Sequence, residues 1–269
     1  MALFSEFGIN RLSIGIQSFN QDERDFLGRQ HNNKDLQECR ENLCNSPIKN
    51  INIDLIYGLS ISTLNHLKHT FQTLKEYPVT HISSYALSIE NGTPFEKQNV
   101  KPLDDEKEAE HYQYIINELT KNHYHHYEVA AFAKKGFECL HNLSYWNFED
   151  YIGLGPSAHS FVFPYRFKNP NNLEKYLKNP SPEWQTNKLI PNTKKTLSLE
   201  FFCSTLRLKK GFKIECYENR FLTKIPKKTK QKFCELESKK LIQQDKERIY
   251  CTKKGRQLLN EVLIHLTED

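Results

Sequence analysis

The sequence predicts an α/β fold in which βα units build a parallel sheet, followed by a small winged-helix-like C-terminal domain. Two observations carry this. Over the first two-thirds, short apolar runs alternate with helical patterns, the mark of parallel strands joined by crossover helices. Toward the C-terminus, three helical patterns precede a short hairpin pattern and a last helix. The size agrees, because 269 residues suffice for one large α/β domain with an appendage. A hydrophobic share of 38% and an aromatic share of 12% exclude a disordered chain. No apolar run approaches the roughly 18 residues that span a bilayer. Met1–Gly8 has neither the basic nor the apolar region of a signal peptide. Seven irregularly spaced cysteines read as reduced thiols, so a cytoplasmic location is expected. The net charge of +5 suits an anionic ligand but is too small to imply nucleic acid.

Arg11–Phe19 is the first expected strand, followed by helical stretches at Asp22–Leu27 and Asp35–Cys44, with Asp35 as N-cap. Ile51–Gly58 is the next strand and Leu64–Glu76 the next helix, stopped by Pro78. His81–Ile89 is a third strand, ended by the turn Asn91-Gly-Thr-Pro94. Asp104–Lys121 is a long amphipathic helix and Tyr127–Ala133 a fourth strand. Phe137–Phe167, aromatic and Gly-rich, reads as a lining loop, and 169–192, rich in Pro and Asn, as a linker. Helices are then expected at Leu197–Lys209, Ile214–Phe221 and Lys227–Lys240, a hairpin at Leu241–Thr252 and a last helix at Lys253–Leu266. Domain bounds of 1–168 and 193–269 follow.

Side chains alternate along a strand, so each strand splits into two faces. Leu12, Ile14 and Ile16 oppose Ser13, Gly15 and Gln17; Ile51, Ile53 and Leu55 oppose Asn52 and Asp54. A parallel strand buried on both sides would be apolar on both. Small and polar residues on one face of two strands point to a cavity holding a polar ligand.

Several ordered motifs carry a family resemblance. Gly8-Ile-Asn-Arg-Leu-Ser-Ile-Gly-Ile-Gln-Ser-Phe19, Leu27-Gly-Arg-Gln-His31, Asn52-Ile-Asp-Leu-Ile-Tyr-Gly-Leu59 and Tyr85-Ala-Leu-Ser-Ile-Glu-Asn-Gly-Thr-Pro94 resemble successive blocks of the radical-SAM family. Within it, they are similar to the branch of oxygen-independent coproporphyrinogen III oxidases and HemW heme chaperones. Phe137-Glu-Cys-Leu-His-Asn-Leu-Ser-Tyr-Trp146 and Tyr151-Ile-Gly-Leu-Gly-Pro-Ser-Ala-His159 narrow the resemblance to the HemW family. The end of the chain, Thr252-Lys-Lys-Gly-Arg-Gln-Leu-Leu-Asn260, is similar to the end of that family's C-terminal domain. The resemblance implies an incomplete radical-SAM (β/α) barrel and a heme chaperone that binds heme and transfers it to receiving proteins. The alternatives are a coproporphyrinogen oxidase of porphyrin biosynthesis or an inactive remnant.

By resemblance, Gln17, Arg29, Asp54 and Ser88 match positions that hold S-adenosylmethionine (SAM). The chemistry fits: Arg29 offers a planar fork to a carboxylate, and Gln17 and Asp54 offer hydrogen bonds to hydroxyls or an amine. His141, Asn142, Tyr145 and Trp146 form the His-Asn-x-x-Tyr-Trp sequence that the family associates with heme, with His141 as candidate iron ligand. The family's 4Fe–4S cluster is held by a C-x-x-x-C-x-x-C loop. Cys39, Cys44, Cys139, Cys203, Cys216, Cys234 and Cys251 nowhere show that spacing. No cluster ligand and no catalytic residue is therefore expected in this chain, and an upstream half of the barrel is an expected partner. Ser60-Ile-Ser62 and Ala131 are smaller departures, standing where relatives carry a Pro-containing loop and often Asn.

Two further clusters read as structural. His123, His125 and His126 lack an ordered carboxylate or Cys companion and are expected in a solvated turn, not around a metal. The lysine-rich stretch Lys224–Lys232 is interspersed downstream with Glu235, Glu237, Asp245 and Glu247, so it reads as a solvated helix face and not a nucleic-acid surface. This module is expected to pack against the barrel.

Overall fold

The computed structural model describes residues 1–179 and 192–268. Contacts divide the chain into two compact units, Met1–Glu138 and Cys139–Asp269. The first unit runs α1 (Ala2–Glu6), β1 (Arg11–Gln17), α2 (Gln21–Phe26), α3 (Asn33–Cys44), β2 (Asn50–Tyr57), α4 (Leu64–Leu74) and β3 (His81–Ala86). It continues with α5 (Pro94–Lys97), α6 (Asp105–Lys121), β4 (His125–Glu128) and β5 (Ala131–Ala133). Its five-stranded sheet has the order β1-β2-β3-β5-β4, with β1 at one edge.

The β1–β2 and β2–β3 pairs are parallel, as the alternation of strand and helix predicts. Ile14, Ile53 and Ile82 stand in one row of the register, and Ile16, Ile51 and Phe132 join them in a core closed by Leu43, Leu67, Phe71 and Ile115 from the helices. Burying a side chain of this kind stabilises by about 2 kcal/mol. The helices thus cover the isoleucine face and leave the other face of the sheet to polar residues.

Three expectations change. The strand at Tyr127–Ala133 is a hairpin of two short strands, β4 and β5, and β5 runs antiparallel to β3. Glu128 takes a buried place at the turn, where its Oε1 accepts the Ala130 amide at 3.1 Å. The third strand stops at Ala86, three residues early, because its parallel partner β2 ends at Tyr57, opposite Ala86. Helix α3 is capped by Asn32, which accepts the amides of Lys34 and Asp35, while Asp35 returns the bond to the Asn32 amide as the third residue of a capping box.

The second unit begins with α7 (Leu140–Trp146), β6 (His159–Val162), β7 (Tyr165–Lys168) and α8 (Leu173–Lys178). It continues with α9 (Lys194–Thr205), β8 (Phe212–Lys213), α10 (Ile214–Phe221), α11 (Lys227–Ser238), β9 (Ile242–Gln244), β10 (Arg248–Cys251), α12 (Lys253–Gln257) and α13 (Leu259–Thr267). A three-stranded sheet of order β8-β10-β9 forms the wing. The last helix is broken at Leu258, and the motif stretch expected as a loop contains α7 and the β6–β7 hairpin. The unit starts before the boundary placed at residue 168, for a physical reason: Phe148 and Phe161 belong to the aromatic core of α9 and α10. Phe148 lies 4.7 Å from Phe161, 5.6 Å from Phe201 and 6.3 Å from Phe221, ring centre to centre. Of the expected linker, 180–191 lies outside the described residues, while Leu173–Lys178 is helical.

Candidate functional site

The polar face of the first unit is one connected network. Register places Ser13 beside Asn52 and Asn52 beside His81, and in the next row Gly15 beside Asp54 and Asp54 beside Ser83. Asn52, 1% exposed, donates its amide to Ser13 Oγ at 2.6 Å and to Asp54 Oδ1 at 2.8 Å. Ser13 Oγ also donates to Asp54 Oδ2 at 3.3 Å. On the other side of the amide, Asn52 Oδ1 accepts from His81 Nδ1 at 2.6 Å and from Ser83 Oγ at 3.2 Å.

The Asp54 carboxylate only accepts, so the Asn52 amide must turn its NH2 toward Asp54 and its oxygen toward His81. His81 therefore carries its proton on Nδ1, and Nε2 accepts from the Tyr127 hydroxyl at 2.8 Å. Burial, reinforced by the positive charge of Arg11, pushes the His81 pKa down to about 3, so the ring is neutral. A directed chain from Tyr127 through His81 and Asn52 thus ends on Asp54, whose side chain is half-buried at the face.

Gln17 ends β1 with φ of +64°, beyond a bulge that shifts the register between Gly15 and Gln17. Its amide folds back over Gly15: a β-carbon on Gly15 would collide with Gln17 Nε2. Gln17 Oε1 is buried and has no hydrogen-bond partner. A buried acceptor left unpaired costs about 1–3 kcal/mol.

Structure does not bring the other two SAM candidates into hydrogen bonds with Gln17 or Asp54. Arg29 is exposed past α2 and makes no side-chain hydrogen bond or ion pair among the described residues. Ser88 lies beyond the end of β3, where its hydroxyl donates to Glu90 Oε1 at 2.5 Å.

Sequence reasoning missed a buried charge cluster behind this face. Arg24, fully buried, donates to the carbonyl of Ser18 at 3.1 Å, to Gln21 Oε1 at 2.7 Å and to Asn33 Oδ1 at 2.5 Å. Its neighbour Glu23 is equally enclosed, accepting from Ser18, Asn20 and Ser62, with His66 Nδ1 at 3.5 Å. These contacts hold the turn that presents Gln17. Pairs separated by 39 residues, as Glu23 and Ser62 are, leave no local signal in the sequence.

In the second unit, α7 carries the His-Asn-x-x-Tyr-Trp residues. His141 is exposed and Asn142 half-buried. Tyr145, one turn after His141, places its hydroxyl 3.0 Å from His141 Nε2, and the rings meet edge to face at 4.8 Å. Tyr145 in turn meets Tyr151 edge to face at 4.5 Å. Burial, with Tyr151 close by, raises the Tyr145 pKa. Trp146 is covered by the Arg207 guanidinium at 4.6 Å, and its indole Nε1 is buried without a partner. Leu140, Ile152 and Leu154, in the two motif segments, are exposed at 78%, 52% and 85%. Gly153 has a packing role, because a β-carbon there would strike the His159 carbonyl oxygen.

Among the described residues, no group of three or more His, Cys, Asp or Glu is placed to hold a metal ion. The cysteines do not fit an iron–sulfur cluster: Cys39 and Cys44 lie on α3, and the other five are in the second unit, two of the seven being buried. The histidines at 123–126 diverge instead of clustering. His126 is buried, stacked on Phe132 at 4.3 Å, which corrects the expected solvated turn, while His123 and His125 are exposed.

A family model, HemN_C (HemN C-terminal domain), matches residues 192–258. Over 97% of the chain the sequence is 34% identical to the heme chaperone HemW of Lactococcus lactis, covering 69% of that protein. Over the same share it is 30% identical to the heme chaperone HemW of Bacillus subtilis, covering 70% of that one. The fold is similar to that of coproporphyrinogen III oxidase (HemN) from Escherichia coli, described as a radical SAM enzyme. The TM-score is 0.76 at 21% identity, over 98% of this chain and 65% of the oxidase chain. This chain therefore spans about two-thirds of the length of the proteins it matches.

Proposed function

The chain belongs to the HemW family of heme chaperones, and we propose that it binds heme at α7 and passes it to receiving proteins in the cytoplasm. One observation carries the reading: the motif histidine, His141, stands exposed, and Leu140, Ile152 and Leu154 of the two motif segments are exposed too. Heme iron takes an axial ligand such as an imidazole nitrogen, and the macrocycle takes apolar contact. His141 would supply the first, and Leu140, Ile152 and Leu154 the second. The unpartnered Trp146 Nε1 is a donor within the same helix. Because the Tyr145 hydroxyl sits on His141 Nε2, ligation through that nitrogen displaces the hydroxyl, whereas Nδ1 has no hydrogen bond among the described residues. No described helix is long and apolar enough to cross a membrane.

SAM fits the polar face of the first unit. SAM, when bound, supplies an amine, a carboxylate and ribose hydroxyls for recognition. Gln17 Oε1 would accept from one of these donors, and Asp54, held by Asn52 and Ser13, would accept from another. Arg29, exposed and unpaired, is the candidate for the carboxylate, with Ser88 at the rim. The cysteines supply no cluster site, so no radical step is assigned, and nothing in the geometry favours the oxidase reading.

Heme titration tests this reading. The chain should develop a Soret band that His141→Ala shifts or abolishes and that Arg29→Ala leaves unchanged. Absence of the band, or an unchanged spectrum in His141→Ala, would defeat it.

A further inference from the structure

A groove of about 540 Å³ in the C-terminal domain is lined by five lysines, Lys194, Lys195, Lys224, Lys228 and Lys232. Among the described residues that line it, Glu268 is the one carboxylate residue. Lys194, Lys224 and Lys228 form no ion pair among the described residues, and Lys232 bonds only backbone carbonyls, those of Leu266, at 3.2 Å, and Glu268. None of the residues considered for heme or SAM lines this groove.

Two twelve-residue helices begin in the groove. Lys194 and Lys195 open α9, and Lys228 and Thr229 belong to the first turn of α11. Neither helix has an acidic residue in its first turn. Pro226 caps α11 without a side-chain hydrogen bond, so the amides of Lys227, Lys228 and Thr229 are left without a capping acceptor. Lysine at the positive end of a helix dipole is the unfavourable arrangement, and here it occurs twice around one hollow. A negative ligand would relieve it. Ser198, Thr223 and Thr229 add hydroxyls to the lining.

We propose that this groove binds a phosphoryl anion. Lysine ammonium groups joined with free helix amides are the chemistry of phosphate sites. The volume is that of a small-ligand site, and carboxylates at Glu235, Glu237, Asp245 and Glu247 elsewhere on the domain disfavour a long polyanion track.

Pyrophosphate titrated into the ¹⁵N-labelled full chain at low ionic strength should shift the amide signals of Lys194, Lys227, Lys228 and Thr229 saturably. Lys194→Ala/Lys228→Ala should weaken binding roughly tenfold. Lys224→Ala, outside both helices, should weaken it without touching their stability. Lys239→Ala/Lys254→Ala, outside the groove, should change it by less than about twofold. A second arm replaces pyrophosphate with phosphatidylcholine vesicles containing phosphatidate. Retention that falls in the groove variants identifies a lipid headgroup as the source of the phosphoryl group, and pyrophosphate binding without retention identifies a free phosphate ligand. No saturable shift, equal losses in the control pair, or binding of duplex DNA without a pyrophosphate response would overturn the proposal.

Discussion

The two units hold their candidate site residues in opposite ways. In Met1–Glu138, Asp54 ends a buried chain of directed hydrogen bonds through Asn52, His81 and Tyr127, which come from three strands. In Cys139–Asp269, His141 is exposed and restrained mainly by its own helix, through Tyr145 four residues later. The first arrangement presets a carboxylate for a ligand with fixed hydrogen-bonding groups. The second leaves an imidazole accessible and movable, which suits a group that must arrive and leave. The supporting cores differ as well: mainly aliphatic side chains between sheet and helices in the first, aromatic rings packed edge to face and stacked in the second.

The largest effect expected from this contrast is that of Phe201→Ala. Phe201, 2% exposed, meets the rings of Phe148, Phe202, Phe212, Tyr217 and Phe221. Its truncation should cost about 3–5 kcal/mol in thermal unfolding. Hydrogen exchange should report the loss in the second unit first; equal loss of protection throughout would break the division into two units.

Next comes Asn52→Leu, which keeps the volume and deletes four hydrogen bonds, stranding His81 and Ser83. Destabilisation of about 3 kcal/mol is expected, with loss of SAM binding in equilibrium dialysis. Retained SAM affinity would show that Asp54 needs no preset orientation.

A third test uses pH. The pKa of His81 is depressed in the fold to about 3, against 6.5 for an ordinary histidine. Between these values the unfolded chain binds the proton and the folded chain does not. Stability should therefore be complete above pH 6.5 and decline as pH falls toward 3. His111, lowered by burial, acts in the same direction. Denaturant melts of His81→Gln should show a flatter acid limb than the parent, and an unchanged limb would place the acid sensitivity elsewhere.

Tyr145→Phe should have the smallest effect, below about 1 kcal/mol in stability, because among the described residues its hydroxyl bonds only the exposed His141. Heme should bind no more weakly, since His141 Nε2 is released. A lost Soret band in this variant would make Tyr145, and not His141, the iron ligand.

Much of the first unit was legible because its period-two pattern is clean. Ile14, Ile53 and Ile82 went inward and Ser13, Asn52 and Asp54 to the polar face, as alternation requires. The hairpin at β4–β5 escaped, because Tyr127–Ala133 is uninterrupted by any turn residue, and the turn depends on the buried Glu128. The α7 helix escaped for a different reason: Cys139 gives it no side-chain cap, and its seven residues are too few for a period to stand out. Asn52 was legible as a polar strand residue, but its partnership with His81 was not, since register between parallel strands is set by packing over the whole face.

By itself, the sequence determined the alternation of strands and crossover helices, the polar face carrying Asn52 and Asp54, and the motif running from His141 to Trp146. These follow from local rules of period and side-chain chemistry. Only the tertiary structure decided that Gln17 keeps an unpaired oxygen, that His81 is neutral with its proton on Nδ1, and that the lysines opening α9 and α11 share one groove. Each of these depends on groups distant in sequence being brought together; for Gln17 and His81 this happens away from water, where an unpaired acceptor or a charge becomes costly.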